Sequence, residues 1–268
     1  TGKGNDQVRL DVAINTLAPD LNIVGTAREN EMSRDAAIDY AKKHGISIKQ
    51  TLESPYSTDE NLWGRSVECG ELEDPWEEPP SDVWLWTAEP EAAPDKPVIV
   101  EIGFKNGIPV SLDGEKMGTV ELVQHLSNLG GQHGIGRVDM VEDRLVGIKS
   151  REVYEAPAAT ILITAHKSLE QLTLSRSQIR MKEQIAQEYA DLIYNGLWYS
   201  GHHRDLAAYT QSSQRDVTGQ VRVKLWKGVL TILGKQAEQS LYSKELATYG
   251  DDDQFDQKAA QGFIKLHG

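Results

Sequence analysis

The chain reads VIVEIGFKNGIPVSL from Val98 to Leu112, and this stretch decides the fold class of its larger part. Apolar and β-branched residues, which favour strands, predominate on both sides of Asn106-Gly107. Asn-Gly is a preferred pair for a two-residue hairpin turn, because both central residues of that turn need a positive φ. The stretch therefore predicts two antiparallel strands, at residues 98–105 and 108–112, joined by a tight turn.

The residues that follow repeat this pattern and add helices. A second hairpin is predicted around Lys227-Gly228, with strands at residues 221–225 and 229–233. Hairpins combined with separate helices are typical of an α+β domain. Such a domain does not need the crossover connections that join parallel strands. Between the hairpins we expect a helix at residues 119–129 closed by Gly130-Gly131, a strand at 138–148 and a helix over most of 169–197.

The first fifty residues have a different pattern, in which helical and strand-like segments alternate. A helix from Asn5 ends at Pro19-Asp20, and a second helix presents Ile38 and Ala41 and is capped by Gly45. Short strands are predicted at residues 21–24 and 46–48. This alternation is typical of a parallel α/β sheet. The segment is short for such a domain, so we expect its amino-terminal part to be missing and a domain boundary near residues 49–55.

Composition and charge disfavour several classes of partner. The 28 Lys and Arg residues against 41 Asp and Glu residues give a formal net charge of −13, which repels nucleic acid and anionic lipid. Cys69 is the only cysteine, so no intrachain disulfide is possible and a reducing, cytoplasmic location is expected. No apolar run approaches the roughly 20 residues that span a bilayer. We therefore expect a soluble protein whose partners are small molecules and other copies of the chain.

The amino-terminal stretch TGKGNDQVR, residues 1–9, combines small flexible residues with the start of a helix. Such a start leaves backbone N–H groups available to an anion, and Lys3 and Arg9 add positive charge. Asn5 and Asp6 are suited either to capping the helix or to binding a ligand. The spacing fits neither common nucleotide-binding fingerprint. A flexible, capped helix start is therefore the alternative interpretation of these residues.

Taken whole, residues 1–9 resemble the signature of the argininosuccinate synthase family. Further motifs of that family follow in the same order along nearly the whole chain. A colinear set of motifs is much more specific than any one of them. The motifs are DENLWGRS at residues 59–66, LEDPW at 72–76, GIGRVD at 134–139, VEDR at 141–144, KSREVYEAPA at 149–158 and WYS at 198–200.

The resemblance implies an ATP-dependent carbon–nitrogen ligase that joins citrulline to aspartate, with ATP and Mg required. In that family the ureido oxygen of citrulline attacks the α-phosphorus of ATP, which gives a citrullyl-adenylate and pyrophosphate. The aspartate amine then attacks the ureido carbon and expels AMP. The glycine-rich ATP loop of the family would precede residue 1, so the resemblance implies half of a composite active site. The alternative is a catalytically incomplete oligomeric scaffold or amino-acid-binding fragment.

Pattern and resemblance together define the expected organisation. We predict an α/β remnant of a parallel-sheet nucleotide-binding domain at residues 1–50, followed by an α+β synthetase domain with antiparallel hairpins at 51–250. An oligomerisation tail is expected at residues 251–268. Two segments depart from the family pattern: Gly201 stands where many members carry proline, and residues 25–28 lack the usual proline and tryptophan.

The resemblance also implies which residues bind the substrates. Both substrates are zwitterions, so their site needs carboxylates for ammonium groups and donors for carboxylates. Glu142 is suited to the citrulline ammonium, Arg9 to charge on the ureido oxygen, and Asp6 to the aspartate ammonium and its deprotonation. The implied residues are Thr1, Asn5 and Asp6 for aspartate, Asn5, Arg9, Ser57, Ser66, Glu142 and Tyr154 for citrulline, and Asp6 and Arg9 for catalysis.

The same residues have simpler explanations when the resemblance is set aside. Glu142 is then a solvated strand charge and Tyr154 an aromatic at the edge of the core. His202-His203 lacks the ligand spacing of a metal site, so no metal ligand is predicted in the chain. Cys69 is interpreted as a structural residue, and Trp84 with Trp86 as a packing pair.

The carboxyl-terminal tail predicts self-association. An acidic run at residues 251–253 precedes Phe255, Phe263, Ile264 and Leu266. An apolar segment on a polar tether commonly docks on a neighbouring subunit. The resemblance implies a homotetramer. The alternative is that the tail folds back onto its own chain.

Overall fold

The computed structural model describes residues 4–29, 34–47 and 56–268, in which helices surround two antiparallel sheets. The helices are α1 (Asn5–Leu17), α2 (Thr26–Glu29), α3 (Arg34–Lys43), α4 (Thr119–Gln132), α5 (Pro157–Thr173), α6 (Arg176–Tyr194), α7 (Gly201–Ser213), α8 (Lys244–Ala247) and α9 (Gln257–His267). The strands are β1 (Ser57–Glu60), β2 (Arg65–Glu68), β3 (Val98–Lys105), β4 (Ile108–Leu112), β5 (Glu115–Lys116), β6 (Arg137–Asp143), β7 (Lys149–Glu155), β8 (Gly219–Trp226) and β9 (Val229–Ala237). The strand orders are β1-β2-β7-β6 and β5-β4-β3-β8-β9.

Both predicted hairpins are confirmed. The turn between β3 and β4 has φ of 51° at Asn106 and 78° at Gly107. The turn between β8 and β9 has φ of 45° at Lys227 and 82° at Gly228. Each pair thus occupies the left-handed region that a tight hairpin turn requires. The antiparallel character of the larger part of the chain follows from these two turns.

The five-stranded sheet packs against α4 and α5 to form the main hydrophobic core. Alternate residues of the neighbouring strands β3 and β8 point to this core, as the period of two in a strand requires. The buried side chains include Val100, Ile102 and Phe104 of β3, Val221, Val223 and Leu225 of β8, Leu122 and Leu126 of α4, and Ile161 and Leu169 of α5.

Two predicted elements have different bounds in the structure. The helix expected to end at Gly130-Gly131 continues through both residues to Gln132. A Cβ on Gly130 would lie 2.9 Å from Cβ of Pro157, and one on Gly131 would collide with the carbonyl oxygen of Trp86. These glycines therefore allow α5 and the loop at Trp86 to approach α4, rather than ending the helix. Similarly, the long helix expected at 169–197 is divided between α5 and α6, and Ser175 caps the second with a capping box.

The prediction of a single strand at residues 138–148 is also wrong, because the chain reverses within this stretch and forms a hairpin. β6 ends at Asp143, and the chain reverses with φ of 85° at Gly147 before β7 begins. The N–H of Arg144 donates to the carbonyl of Ile148 at 2.8 Å, which closes the turn. Apolar residues in the turn concealed this reversal in the sequence. The reversal places Glu142 of β6 opposite Ser150 of β7.

The helices of the amino-terminal segment are confirmed, but its strands are not. α1 begins at Asn5, and α3 buries Ile38 and Ala41. Residues 21–24 and 46–47 are not strands, because a strand needs a hydrogen-bonded neighbour and the described residues of this segment provide none. The expected parallel-sheet remnant is therefore not confirmed. Ile48 and the predicted boundary at residues 49–55 lie outside the described residues.

A buried ion pair fixes the four-stranded sheet. Glu155, the last residue of β7, is 1% exposed, and its carboxylate lies 2.9 Å from the guanidinium of Arg65, which is 6% exposed. The two are register partners in β7 and β2. The same carboxylate accepts bonds from the N–H groups of Leu85, Trp86 and Thr87 at 3.1, 2.8 and 2.8 Å, and from the Thr87 hydroxyl at 2.7 Å. One side chain therefore holds two strands and a loop together.

We expect Glu155→Gln to lower the free energy of unfolding by about 3–5 kcal/mol, because it leaves the buried Arg65 charge without its partner. Urea denaturation followed by circular dichroism measures this change. Glu60→Gln is the control, because that carboxylate is 60% exposed and 3.9 Å from the same guanidinium. Its loss should cost below about 1 kcal/mol. Equal effects of the two substitutions would contradict the role given to Glu155.

Candidate functional site

The first turn of α1 meets the β6–β7 turn and the end of α6 through Asn5. The buried Asn5 side chain accepts a bond from the N–H of Leu145 at 2.9 Å and donates to the Tyr194 hydroxyl at 2.6 Å. The Tyr194 hydroxyl in turn donates to the carbonyl of Asp143 at 3.0 Å. Asn5 thus joins residues that lie 140 and 189 positions away in the sequence.

Arg9 lies one turn further along α1 and contacts the same tyrosine. Its Nε donates to the Tyr194 carbonyl at 3.0 Å, and its guanidinium carbon lies 4.8 Å from the centre of the Tyr194 ring. Its Nη1 donates to the Asp6 carboxylate at 3.0 Å. Asp6 itself is 76% exposed along its side chain. Asp6 and Arg9 therefore form a pair at the surface, with Arg9 anchored and Asp6 facing solvent.

Gly196 allows α1 to come this close. It follows α6 with φ of 76°, and a Cβ at this position would lie 2.8 Å from Cα of Arg9. Contacts of a Cβ with backbone at that distance are essentially forbidden, so a side chain here would push α1 away. Sequence reasoning identified neither Gly196 nor Tyr194, because nothing near them in sequence indicates a contact with the amino terminus.

One face of the four-stranded sheet covers a small apolar core, and the opposite face, called the polar face below, carries serine, tyrosine and glutamate side chains together with Val138 and Met140. Val67 and Val153 face Leu72 and Val83 and form a second small core. Directly opposed residues of adjacent strands share a face, and alternate residues of one strand do too. The registers Ser57↔Glu68, Ser66↔Tyr154, Glu68↔Glu152 and Glu142↔Ser150 therefore place Ser57, Ser66, Glu68, Glu142, Ser150, Glu152 and Tyr154 on the polar face.

Glu152 and Arg144 connect the charges on this face. The Tyr154 hydroxyl donates to one Glu152 oxygen at 2.8 Å, and Nη2 of Arg144 lies 3.3 Å from the other. The same Nη2 contacts the Glu68 carboxylate, while Nε of Arg144 donates to the Ser150 hydroxyl at 2.7 Å. Arg144 thus lies between two of the carboxylates of the face.

The electrostatics show that these groups act on one another. Burial raises the pKa of the Glu152 carboxyl, and a hydrogen bond with Glu142 together with the charge of Glu142 raises it further. Burial also raises the pKa of the Tyr154 hydroxyl, with Glu152 and Glu142 adding to the effect. The pKa of Tyr194 is raised by burial and then by the charge of Glu142. Both hydroxyls therefore stay protonated, and Glu142 lies near enough to Glu152, Tyr154 and Tyr194 for its charge to act on all three.

The structure brings together most of the residues that the sequence predicted. Asn5, Asp6 and Arg9 lie on α1, and Glu142 is one residue before the Asp143 carbonyl that Tyr194 contacts. Ser57, Ser66 and Tyr154 share the polar face with Glu142, as described above. Thr1 lies outside the described residues. The residues that contact this group in the structure but were not predicted from the sequence are Glu68, Arg144, Glu152, Tyr194 and Gly196.

Glu152 is the omission that the sequence itself could have corrected. It lies two residues before Tyr154 in a predicted motif, so the period of two in a strand places both side chains on one face. The hairpin at Gly147 then brings that face beside Glu142. The prediction of one strand up to residue 148 contains no hairpin, so it does not bring Glu152 near Glu142.

The aromatic residues near His202 and His203 form a separate cluster, on α6, α7 and the loop between them. His203 is hydrogen-bonded to the Tyr189 hydroxyl at 2.9 Å, and its ring centre lies 4.1 Å from that of Trp198. His202 lies 3.1 Å from the Glu188 carboxylate at the surface. In the part of the chain that the structure describes, no three His, Cys, Asp or Glu side chains are grouped to hold a metal ion. Nor does any helix there have the length and apolar character needed to cross a membrane.

Comparison with known proteins places the chain in a family. Residues 56–268 match the model described as the arginosuccinate synthase C-terminal domain. The chain belongs to the argininosuccinate synthase family. Residues 1–47 match the model of the arginosuccinate synthase N-terminal HUP domain. The two parts of the chain therefore match models of the same family.

Individual members of the argininosuccinate synthase family are similar along the whole chain. The argininosuccinate synthase of Rubrobacter xylanophilus is 56% identical over 268 residues, which are 100% of this chain and 66% of that protein. That of Dehalococcoides mccartyi is 54% identical over the same share of each chain. That of Chlorobium luteolum is 53% identical over 269 residues, 100% of this chain and 67% of the relative. The chain therefore spans about two thirds of the length of these relatives.

We expect Gly196→Ala to loosen α1 from the end of α6. The added Cβ cannot avoid the Arg9 backbone, so amide hydrogens of α1 should exchange faster and the melting temperature should fall. Gly114→Ala is the matched control, because Gly114 has φ of 83° with open space around its Cβ position. Both substitutions place an alanine in the left-handed backbone conformation, which costs about 1–2 kcal/mol. Equal loss of stability and no change in α1 exchange would contradict the proposed contact.

Proposed function

We propose that this chain takes part in the ATP-dependent ligation of citrulline to aspartate, the reaction after which its family is named. The observation that carries the proposal is the meeting of α1 with the polar face of the four-stranded sheet. Serine and tyrosine hydroxyls, carboxylates and an anchored arginine converge there from α1 and the four strands. Such a mixture of donors and acceptors suits zwitterionic amino acids better than it suits apolar or polyanionic ligands.

The polar face is the proposed citrulline site. Glu142 accepts the ammonium group, and its position beside the Tyr194 hydroxyl and Tyr154 supports this role. Ser57, Ser66 and Tyr154 supply hydroxyls that orient the rest of the molecule. Asn5 and Arg9 border the site from α1, where the Arg9 guanidinium is placed to stabilise negative charge on the ureido group.

The start of α1 is the proposed aspartate site. The exposed carboxylate of Asp6 is available to the substrate ammonium and is suited to accept a proton from it before attack. The Asn5 side chain is already hydrogen-bonded to Leu145 and Tyr194. Its role is therefore to hold the β6–β7 turn in place as well as to lie beside the ligand. Thr1 completes the proposed set. The amine of aspartate would then attack the ureido carbon from the α1 side.

ATP would supply the adenylyl group that turns the ureido oxygen into a leaving group, so that AMP and pyrophosphate are the other products. The described residues around the polar face fit the amino acids and not a triphosphate. Three carboxylates, those of Glu68, Glu142 and Glu152, lie there beside the guanidinium of Arg144. A triphosphate would be repelled by this excess of negative charge. ATP and its Mg ion would therefore bind outside these residues.

The proposed organisation assigns residues 1–50 to the end of the nucleotide-binding domain and 51–250 to the synthetase domain. Residues 251–268 form the oligomerisation tail, and a cytoplasmic enzyme of arginine biosynthesis is the proposed biological setting. The tail contains α9, which Asp256 caps by accepting bonds from the N–H groups of Lys258 and Ala259, both at 2.9 Å. Phe263, Ile264 and Leu266 of this helix are exposed, Leu266 at 90%. A helix that is well capped and exposes such residues is suited to dock on another copy of the chain, giving the proposed homotetramer.

Glu142→Gln should weaken citrulline binding about ten- to more than a hundredfold, since a hydrogen bond to a charged group is worth roughly 1.5–3 kcal/mol. Calorimetric titration of the protein with citrulline and with aspartate measures the effect. Aspartate affinity should change little, and the free energy of unfolding should not fall. Glu115→Gln on the exposed strand β5 is the control and should leave both affinities unchanged.

Two results would count against this assignment in different ways. Equal weakening for both amino acids would show that Glu142 organises the site rather than binding citrulline. Citrulline binding by the protein without product formation in the presence of ATP and aspartate would favour the amino-acid-binding fragment as its function.

Deletion of residues 251–268 should lower the oligomeric state, which light scattering coupled to size-exclusion chromatography measures at micromolar concentration. Replacing Phe263 and Leu266 by serine should have the same effect, because both side chains belong to the exposed apolar part of α9. Gln261→Ser on the same helix is the control. A monomeric starting protein, or an unchanged oligomer after deletion, would contradict the role of the tail.

A further inference from the structure

Tyr194, the last residue of α6, contacts both α1 and the β6–β7 turn with one side chain. Its hydroxyl accepts a bond from Nδ2 of Asn5 at 2.6 Å and donates to the carbonyl of Asp143 at 3.0 Å. Asn5 in turn accepts the N–H of Leu145, two residues after Asp143, at 2.9 Å. The nitrogen and the oxygen of the Asn5 amide are therefore each held by a different element.

The directions of these bonds fix the orientation of the Asn5 amide. The backbone N–H of Leu145 can only donate, so the amide oxygen must face it. The Tyr194 hydroxyl has one proton, which it gives to the Asp143 carbonyl, so towards Asn5 it can only accept. The amide nitrogen must therefore face Tyr194. An amide turned by half a rotation would lose both bonds, so its two partners select the same orientation.

This orientation leaves part of the Asn5 amide for a substrate. A carboxamide has two N–H groups and an oxygen that can accept two bonds. The contacts with Tyr194 and Leu145 use one N–H and one acceptor position. The second N–H can donate to a substrate carboxylate. Its direction is already set before the substrate arrives, because the amide cannot turn without losing both of its protein bonds.

The rest of Tyr194 holds Arg9 and does not depend on the hydroxyl. The Tyr194 carbonyl accepts Nε of Arg9 at 3.0 Å, and the tyrosine ring lies 4.8 Å from the guanidinium carbon. A phenylalanine at this position would keep the carbonyl and the ring. Removal of the hydroxyl alone therefore tests its contacts with Asn5 and Asp143 separately from the position of Arg9.

We propose that Tyr194 is a positioning residue of the ligation, whose hydroxyl sets the direction of the Asn5 amide and joins it to the end of β6. The inference rests on the proposed function and deepens it. Asp143 directly follows Glu142 and ends β6. The hydroxyl therefore connects a residue of the proposed aspartate site with the strand end that carries the proposed citrulline carboxylate. Tyr194 acts on the substrates through these two neighbours.

Tyr194→Phe should weaken the binding of both aspartate and citrulline about two- to tenfold, the range that corresponds to one net hydrogen bond. Calorimetric titration with each amino acid measures the two affinities. Tyr189→Phe is the matched control, because Tyr189 lies on the same helix and its hydroxyl is hydrogen-bonded to His203 at 2.9 Å. This control should leave both affinities unchanged.

A double-mutant cycle separates positioning from general support of the fold. In an Asn5→Ala protein there is no amide to orient, so adding Tyr194→Phe should weaken aspartate binding no further. A tyrosine that merely packed between α1 and α6 would weaken aspartate binding by the same factor in both backgrounds. That result would overturn the inference, and so would an unchanged aspartate affinity in Tyr194→Phe alone.

Hydrogen exchange at the Leu145 amide tests the orientation of Asn5 without a substrate. Once the hydroxyl is removed, the Asn5 amide is free to turn, and its oxygen then leaves the Leu145 N–H for part of the time. Exchange at Leu145 should therefore be faster in Tyr194→Phe than in wild-type protein, and unchanged in Tyr189→Phe. Equal exchange in all three proteins would overturn the orienting role.

The two readings distinguish this inference from the function on which it rests. Failure of wild-type protein to bind either amino acid would overturn the proposed function, and the exchange at Leu145 would still decide whether Tyr194 orients Asn5. Binding of both amino acids with equal affinities in wild type and Tyr194→Phe would overturn the role of Tyr194 and leave the proposed function in place.

Discussion

The burial of the Glu155 carboxylate is the constraint on which the rest of the structure depends. A buried charge is stable only when partners surround it, and this one takes its partners from β2 and from the loop at residues 85–87. Pro157 begins α5 two residues later, so the same point also fixes the helix that covers the five-stranded sheet. The polar network and the hydrophobic core are therefore joined at one side chain. A displacement of either would disturb both sheets.

That junction also determines what the opposite face of the small sheet can be. Val67 and Val153 must face Leu72 and Val83, because these residues form the core beneath the sheet. The period of two in a strand then directs the intervening residues to the other side. These are the hydroxyl and carboxylate side chains of the candidate site, so the site is the complement of a small apolar core. Its residues are held by strands, which keeps their geometry firmer than a loop would.

The candidate site is built from two parts with different attachments. The polar face belongs to the sheet, whereas α1 reaches it through the polar contacts of Asn5 and Arg9 and the close approach at Gly196. On the sheet side, burial and then the neighbouring Glu142 raise the pKa of the Glu152 carboxyl, so the ionised form of Glu152 is disfavoured there. An arrangement that costs stability in the absence of a ligand is common where binding is the function.

The sequence by itself determined the hairpins, the helical faces and the family, because turn residues, apolar periodicity and motif order are local properties. Through the resemblance it also predicted the substrate-binding residues, which stay a prediction: Thr1, Asn5, Asp6, Arg9, Ser57, Ser66, Glu142 and Tyr154. Only the tertiary structure decided that β6 and β7 form a hairpin, that Gly130 and Gly131 lie inside α4, and that residues 21–24 are not a strand. Each depends on what another segment supplies: a register partner, a helix packed at close range, or a neighbouring strand. The contacts of Tyr194 with Asn5 and of Arg144 with Glu68 are of the same kind, since no local pattern records which distant side chains will meet.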